Sequence, residues 1–206
     1  MNQFIEFQFD SNQLPIAGID EVGRGCLAGP VVACAAILDI PKIKASGVKV
    51  ETIIKDSKKL SLKQREVAKA FILEHCVDFH IAQASPREIE EINILEATFL
   101  AMRRAASQLK HTPRKTLVDG NKEIPGYPGA QEAIVKGDTH SVSIAAASIL
   151  AKIHRDELMQ ATAQKYPAYG FDQHVGYGTK KHIEAINTVG ICPEHRRTFA
   201  PINKLF

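Results

Sequence analysis

The residues best placed to do chemistry in this chain are acids at the ends of apolar runs. Asp20 follows the run 16–19, Asp119 follows 115–118 and precedes Gly120, and Asp138 follows 131–135 through Lys136-Gly137. In an open α/β sheet ligands gather where strands end, so three neighbouring strands would bring these carboxylates to one point. Carboxylates held together repel, and some keep a proton unless a cation neutralises them. An all-acid set with no cysteine or histidine cluster beside it suits a hard ion such as Mg²⁺ or Mn²⁺ and argues against zinc. Two such ions about 3.5–4 Å apart clamp the attacking and leaving oxygens of a phosphoryl transfer. Glu21 joins the set on a geometric condition. Adjacent strand residues face opposite sides, so Asp20 and Glu21 share a site only if the strand bends at Glu21, or if Glu21 acts from the start of the loop, its carbonyl oxygen included. An Asp-Glu pair at a strand end is more often a turn or a solvated charge. Its company here, Arg24 and two further strand-end aspartates, is what points to catalysis.

Directly after the acids comes Gly23-Arg24-Gly25, within GRGCLAG at residues 23–29. This is neither a dinucleotide fingerprint nor a phosphate loop: both must open a helix, and this segment runs into a strand-like one. Gly23 and Gly25 offer backbone that a ligand can approach closely, and Arg24 offers a planar cation suited to phosphate. A tight hairpin with an incidental arginine would read the same way. KDSKKLS, residues 55–61, sets hydroxyls and the ammonium groups of Lys58 and Lys59 at a helix start, a seat for phosphate or equally a solvated cap. YPAYGFDQHVGYGTKKH, residues 166–182, interleaves rings, glycines and basic side chains as a nucleic-acid groove with a stacking platform would.

These groups need a scaffold, and the rest of the chain supplies one. At 206 residues, 45% hydrophobic and 24% charged, it reads as one domain, or one domain with an appendage, with ample core. The four cysteines are scattered without a C-x-x-C pair, which argues against a disulfide framework or a zinc site and fits the reducing cytoplasm. No secretory signal and no membrane span are expected. Net charge is only +3, but residues 42–69 hold nine Lys/Arg against three acids, a footprint compatible with a polyanion or with a solvated helix face. Segments 16–19 and 31–38 read as strands of a hairpin, 77–83, 115–118 and 131–135 as further strands. Ser61 with Gln64 marks the start of a helix to about Cys76. Ser85, Pro86 and Glu88 open the clearest helix, with Ile89, Ile92, Leu95, Phe99, Met102, Ala106 and Leu109 as its core stripe. A second long helix is expected over THSVSIAAASILAKIHRDELMQATAQKYP, then a loop-rich stretch to Gly178 and a last helix capped by Thr179. Strands first and then strands alternating with helices predict an α/β layer fold with a mixed sheet.

In order along the chain, GIDEVGRGCLAGPVVACAAI, DSKKLS, VDGNK, KGDTHSVSIAAASILAKIHRD, YPAYGFDQHVGYGTKKH and HRRTF resemble bacterial ribonuclease HII, the type 2 ribonuclease H, from about Ile16 to Phe199. The resemblance implies a ribonuclease H-like mixed sheet flanked by helices over residues 1–165, and a C-terminal helical extension over 166–206 that completes the substrate groove. It implies a metal-dependent endonuclease that cuts the RNA strand of RNA–DNA hybrids, and the 5′ side of single ribonucleotides in duplex DNA, leaving 3′-hydroxyl and 5′-phosphate ends. The metal ligands would be Asp20, Glu21, Asp119 and Asp138, holding Mg²⁺ or Mn²⁺, two ions with substrate bound. Asp20 and Asp138 would hold the metals, Asp119 orient them and Glu21 complete the shell. Gly23, Arg24 and Gly25 would contact the 2′-hydroxyl and adjacent phosphates, the one group that tells RNA from DNA. Lys58 and Lys59 would add phosphate contacts, and Tyr177 would pack on the sugar of the next deoxynucleotide. The partner would be an RNA–DNA hybrid or a DNA duplex containing ribonucleotides, with no membrane, a monomeric state and a role in removing ribonucleotides from DNA. Val175 stands where many members carry a lysine; Lys180 or Lys181 would have to replace it. Asp156 reads as a helical ion pair to Lys152 rather than a ligand. A nuclease confined to long hybrids and a non-catalytic duplex-binding module are the competing readings, with a small-molecule phosphatase a distant third.

Overall fold

The computed structural model describes residues 4–54 and 60–205, so Lys58 and Lys59 lie outside the described residues. Strands β1 (Ile16–Val22) and β2 (Val31–Leu38) form an antiparallel hairpin, and β3 (Cys76–Ala84) pairs antiparallel with β2. On the other side of β1, β4 (Lys115–Asp119) and then β5 (Gln131–Ile134) run parallel to it. The order across the sheet is β3-β2-β1-β4-β5, a mixed sheet as expected. The helices are α1 (Ile40–Ser46), α2 (Leu62–His75), α3 (Pro86–Ser107), α4 (Gly137–His140), α5 (Val142–Lys165), α6 (Phe171–His174) and α7 (Lys180–Val189). Among the described residues no helix is long and apolar enough to cross a membrane.

β2 explains the layering. Its eight residues are all buried, because Val32, Cys34, Ala36 and Leu38 enter a core with α5 and α2, while Val31, Ala33 and Ala35 enter another with α3. A strand covered on both faces reads as a continuous apolar run rather than an alternating one. α5 lies so close to β1 that a Cβ on Gly18 would sit 2.1 Å from the Ile144 amide nitrogen, so only glycine fits. The start of α5 is fixed twice. Ser141 caps it by accepting from the Ile144 amide, and the buried Glu6 carboxylate accepts from the Ser141 hydroxyl and from the Val142 and Ser143 amides. A negative charge there meets the positive end of the helix dipole.

Four sequence expectations are corrected. β1 does not stop at Ile19; its ladder with β2 continues through Val22 opposite Val32. Asp138 does not end a strand, because an αL turn at Lys136 (φ 55) carries the chain from β5 into α4, where Asp138 sits in the first turn. The second long helix begins at Val142, with Ser141 extended between α4 and α5. The α3 stripe is broken at Asn93 (φ 67, ψ 166), whose Oδ1 accepts from the Leu95 and Glu96 amides and caps a new helical start. Ile92, just before that break, is 37% exposed rather than core.

Candidate active site

The ladder between β1 and β4 ends at Ile19 opposite Val118, so the next residues, Asp20 and Asp119, stand side by side where the two parallel strands separate. Beyond that point β1 is paired only on its β2 side, which opens a cleft along the other edge. Asp119 Oδ1 accepts from the Gly137 amide at 2.6 Å and so draws the start of α4, with Asp138, against the end of β4. A Cβ at residue 137 would sit 2.5 Å from the terminal methyl of Ile144 and 3.2 Å from Asp119 Oδ1, so the turn packs closely against both. The result is a narrow cleft of about 110 Å³ walled by Asp20, Glu21, Asp119 and Asp138, by Ser148 and Lys152 of α5, and by Val22 and Tyr177. All four predicted carboxylates and the predicted tyrosine meet there.

The condition set for Glu21 is corrected: there is neither a bend nor a loop at this residue, yet it borders the same cleft as Asp20, because the sheet opens beside β1 and leaves its edge accessible from both faces. Glu21 lies in regular strand and points to the α3 side of the sheet, at a lip shared with a second cleft that Arg24, Asp119 and Thr98 also line. Arg24 Nη1 lies 3.3 Å from Glu21 Oε1. Asp20 is 6% exposed and accepts from the Glu21 amide at 2.7 Å. Burial, then the charges of Glu21 and Asp119, hold the Asp20 carboxyl well above the usual carboxylate range, against the pull of the Ser148 hydroxyl. Burial also raises Glu21, against the opposing pull of Arg24. Both shifts have one remedy, positive charge in the cleft. Among the described residues no three His, Cys, Asp or Glu side chains close into a ready-made cage. The carboxylates instead line an open, all-oxygen cleft, which suits an ion that keeps several waters and takes further ligands from substrate phosphate. The donor set therefore fits Mg²⁺ or Mn²⁺.

Sequence reasoning missed Ser148 and Lys152. With Asp156 they recur every four residues on one face of α5, a spacing visible in the Ala/Ser run. Lys152 Nζ donates to Asp156 Oδ1 at 2.6 Å, and Arg65 Nη1 donates to Asp156 Oδ2 at 2.9 Å. Asp156 is thus the ion-pair partner that aims Lys152, and it does not line the cleft.

The Gly-Arg-Gly loop leaves β1 directly after these acids. Gly23 has φ +94, and a Cβ there would strike Arg155 at 2.2 Å. Gly25 is different. Its φ lies outside the glycine-favouring region and a Cβ would meet nothing within 4 Å, so the fold does not require glycine at that position and the space beside it is open.

Tyr177 is positioned by buried histidines of the C-terminal segment. The Cys192 amide donates to His195 Nδ1 at 3.0 Å, so that nitrogen carries no proton. His195 Nε2–H must then donate to His182 Nε2 at 3.0 Å, and His182 Nδ1–H to the Tyr177 carbonyl at 2.9 Å. His174 stacks on His182 with ring centroids 4.4 Å apart and hydrogen-bonds the Tyr169 carbonyl through Nε2. Val175 is held in αL (φ 43) and packs into the C-terminal apolar cluster, away from a phosphate role. Lys180 pairs with Glu184 at 3.9 Å, and Lys181 donates to Gln173 at 3.2 Å.

A family model described as Ribonuclease HII matches residues 17–202. The ribonuclease HII of Endomicrobium trichonymphae is 50% identical over 204 residues, which cover 97% of this chain and 94% of that protein. The crystal structure of the ribonuclease H2 from Pyrococcus horikoshii OT3 matches with a TM-score of 0.76 at 29% identity, over 93% of this chain and 97% of that one. Bst ribonuclease HIII, solved in complex with Mn²⁺, matches with a TM-score of 0.71 at 20% identity over 93% and 69%, a likeness of fold.

Proposed function

Because the chain belongs to the ribonuclease HII family, and is thus a metal-dependent endonuclease cutting the RNA strand of RNA–DNA hybrids, we propose that it also cuts 5′ of single ribonucleotides embedded in duplex DNA. One observation carries this reading: the Gly-Arg-Gly loop grows out of the strand that bears Asp20 and Glu21, so a 2′-hydroxyl reader sits at fixed reach from the carboxylate cleft. The open space beside Gly25 is where a sugar-phosphate would approach.

In this reading Asp20, Glu21, Asp119 and Asp138 hold Mg²⁺ or Mn²⁺, two ions with substrate bound. Such ions supply a water of lowered pKa and positive charge at the phosphoryl oxygens. Water attacks phosphorus in line with the 3′-oxygen, the bond from phosphorus to that oxygen breaks, and the products are a 3′-hydroxyl and a 5′-phosphate. Gly23, Arg24 and Gly25 engage the 2′-hydroxyl and adjacent phosphates, Tyr177 packs on the following deoxyribose, and Lys58 and Lys59 touch phosphate farther out. Lys152, aimed by Asp156, keeps a cation on the cleft wall. The enzyme acts as a monomer that removes ribonucleotides from DNA in the cytoplasm, where its free cysteines stay reduced.

The test is incubation with a duplex carrying one ribonucleotide, an all-DNA duplex and a long hybrid, each in Mg²⁺, Mn²⁺ and chelator. A metal-dependent cut 5′ of the ribonucleotide supports the proposal. Cleavage of the long hybrid alone leaves the carboxylate site standing and rejects the loop's role.

A further inference from the structure

Arg155 and Arg196 are fully buried, and among the described residues neither makes an ion pair. A buried cation without a carboxylate is costly unless its donors are all used. Both guanidiniums spend their donors on backbone carbonyls of the loop between β1 and β2 and its neighbours. Arg155, from α5, donates to Pro30, Val175 and Ala28 at 3.1, 2.8 and 3.1 Å. Arg196, from the HRRTF motif of the C-terminal segment, donates to Gly23 at 2.7 Å, to Arg24 at 2.8 Å, and twice to Gly29 at 2.8 and 2.9 Å. Its own amide donates to the Leu27 carbonyl at 2.9 Å, and its guanidinium lies over the Phe199 ring at 5.1 Å. Burial pushes Arg196 down to about 10, which leaves it charged at neutral pH.

The carbonyls that Arg196 grips include those of the two peptide groups inside Gly-Arg-Gly. A trans peptide is planar, and its N–H points opposite to its C=O. Fixing the Gly23 and Arg24 carbonyls from the buried side therefore turns the Arg24 and Gly25 amides the other way, toward the open space beside Gly25. A cation on the carbonyl end also polarises each peptide and strengthens its N–H as a donor.

We propose that Arg196 is a positioning residue for ribonucleotide recognition: through the Gly23 and Arg24 carbonyls it aims two backbone amides at the 2′-hydroxyl and its phosphate. The inference rests on the loop reading proposed above and adds the part that makes the reader rigid. It also gives the C-terminal segment a role in specificity beyond its groove wall. A lysine cannot replace Arg196, because one ammonium cannot span three carbonyls with a planar fork.

The test compares wild type with Arg196→Lys on a single-ribonucleotide duplex and on a long hybrid. The duplex offers one register, whereas a hybrid offers a 2′-hydroxyl at every position and tolerates misaimed amides by using another. The expected result is a loss of kcat/KM on the order of 30-fold on the duplex against about 3-fold on the hybrid, carried in KM as well as kcat. A role in folding alone lowers the active fraction and scales both substrates equally with KM unchanged, and that outcome overturns the inference. Should the lysine chain not fold, joining residues 1–191 to a synthetic 192–206 segment at Cys192 places citrulline at 196, which keeps the shape and removes the charge. The same two ratios then decide. A wild-type chain that leaves the single-ribonucleotide duplex uncut sinks the loop reading and this inference together, whereas equal losses in a discriminating enzyme sink the inference alone.

Discussion

Acid should loosen the C-terminal segment that carries Tyr177, and the size of the effect follows from the histidine relay. Burial, and then His182 and His174, push His195 down from 6.5 to about 4. Burial pushes His182 down as well. Between those two values the unfolded chain binds a proton that the native chain does not, so stability falls as pH drops below 6.5 and levels off near the native value. At about 1.36 kcal/mol per unit the limiting loss is about 3 kcal/mol, of which roughly 2.5 is reached by about pH 4.5. His182 shares the single proton of the contact and is not added separately. The titratable groups facing the pair are His174, Cys192, Tyr169 and the Tyr177 turn, with Glu194 beside Cys192. Asp20 and Glu21 act in the opposite sense: with raised carboxyls the native state binds the extra proton, so they favour folding as pH falls. A difference measurement removes them. Urea unfolding in chelator, from about pH 7 to 4.5, is compared for wild type and His195→Asn, whose Oδ1 can still accept from the Cys192 amide but does not titrate. The variant should be less stable at neutral pH, yet wild type should lose about 2.5 kcal/mol more than the variant across the range. Parallel pH profiles in the two proteins would refute the relay.

Asp138→Asn should lower single-turnover cleavage by on the order of 10³-fold while the duplex Kd stays within about 3-fold, because duplex affinity comes mainly from phosphate contacts; turnover near the wild-type rate removes Asp138 from the site. Asp20→Asn should be inactive and yet melt at a higher temperature than wild type in chelator, since it relieves a buried charge pressed by Glu21 and Asp119; an unchanged or lower Tm contradicts the electrostatic account. Two glycines should separate by cause. Gly25→Ala should fold normally and lose roughly 10-fold or more on the single-ribonucleotide duplex, whereas Gly18→Ala should lose about 3 kcal/mol of stability or fail to fold, because its Cβ meets the Ile144 nitrogen at 2.1 Å. Circular dichroism melts alongside the cleavage assay read both, and a destabilised Gly25→Ala chain would show that the loop glycine is structural.

Much of this was legible in the residues, for reasons that can be named. The strands that carry Asp20 and Asp119 begin as short apolar runs leading into an acid, and burial on both faces makes β2 a continuous apolar run. Local chemistry marks the starts of α2 and α3, where Ser61 with Gln64 and Ser85 with Glu88 close full capping boxes. What stayed hidden depends on partners remote in sequence. Ser141 caps α5 locally, but the second support for that start comes from Glu6, which is remote in sequence, so the short α4 is hard to separate from α5 by local pattern. Asn93 stands in an unbroken apolar stripe, and its cap becomes visible only as backbone angles. α1 passed unnoticed although its signals are local: Asp39 accepts from the Lys42 amide, Pro41 sits in the first turn and Gly47 closes it at φ 67.

The site divides in the same way, and the division says where to look in chains like this one. Acids announce themselves because charge at the end of an apolar run is conspicuous. The groups that aim them do not, because each does its work through a backbone atom elsewhere. Asp119 holds the turn before Asp138 through the Gly137 amide, His182 holds Tyr177 through its carbonyl, and Arg196 touches three carbonyls far back in the chain. A carbonyl or an amide leaves no trace in residue type. What does leave a trace is the demand such contacts make on the far partner: a glycine where a Cβ would collide, as at Gly23 and Gly176, or a charged residue that the fold buries whole. Gly176 shows both ends at once, since its φ of +86 and the Ala28 carbonyl 2.4 Å from its missing Cβ let its own carbonyl accept from the Leu27 amide. That contact ties the tyrosine turn to the loop that carries Gly-Arg-Gly, so the two segments proposed to engage the substrate are joined through backbone.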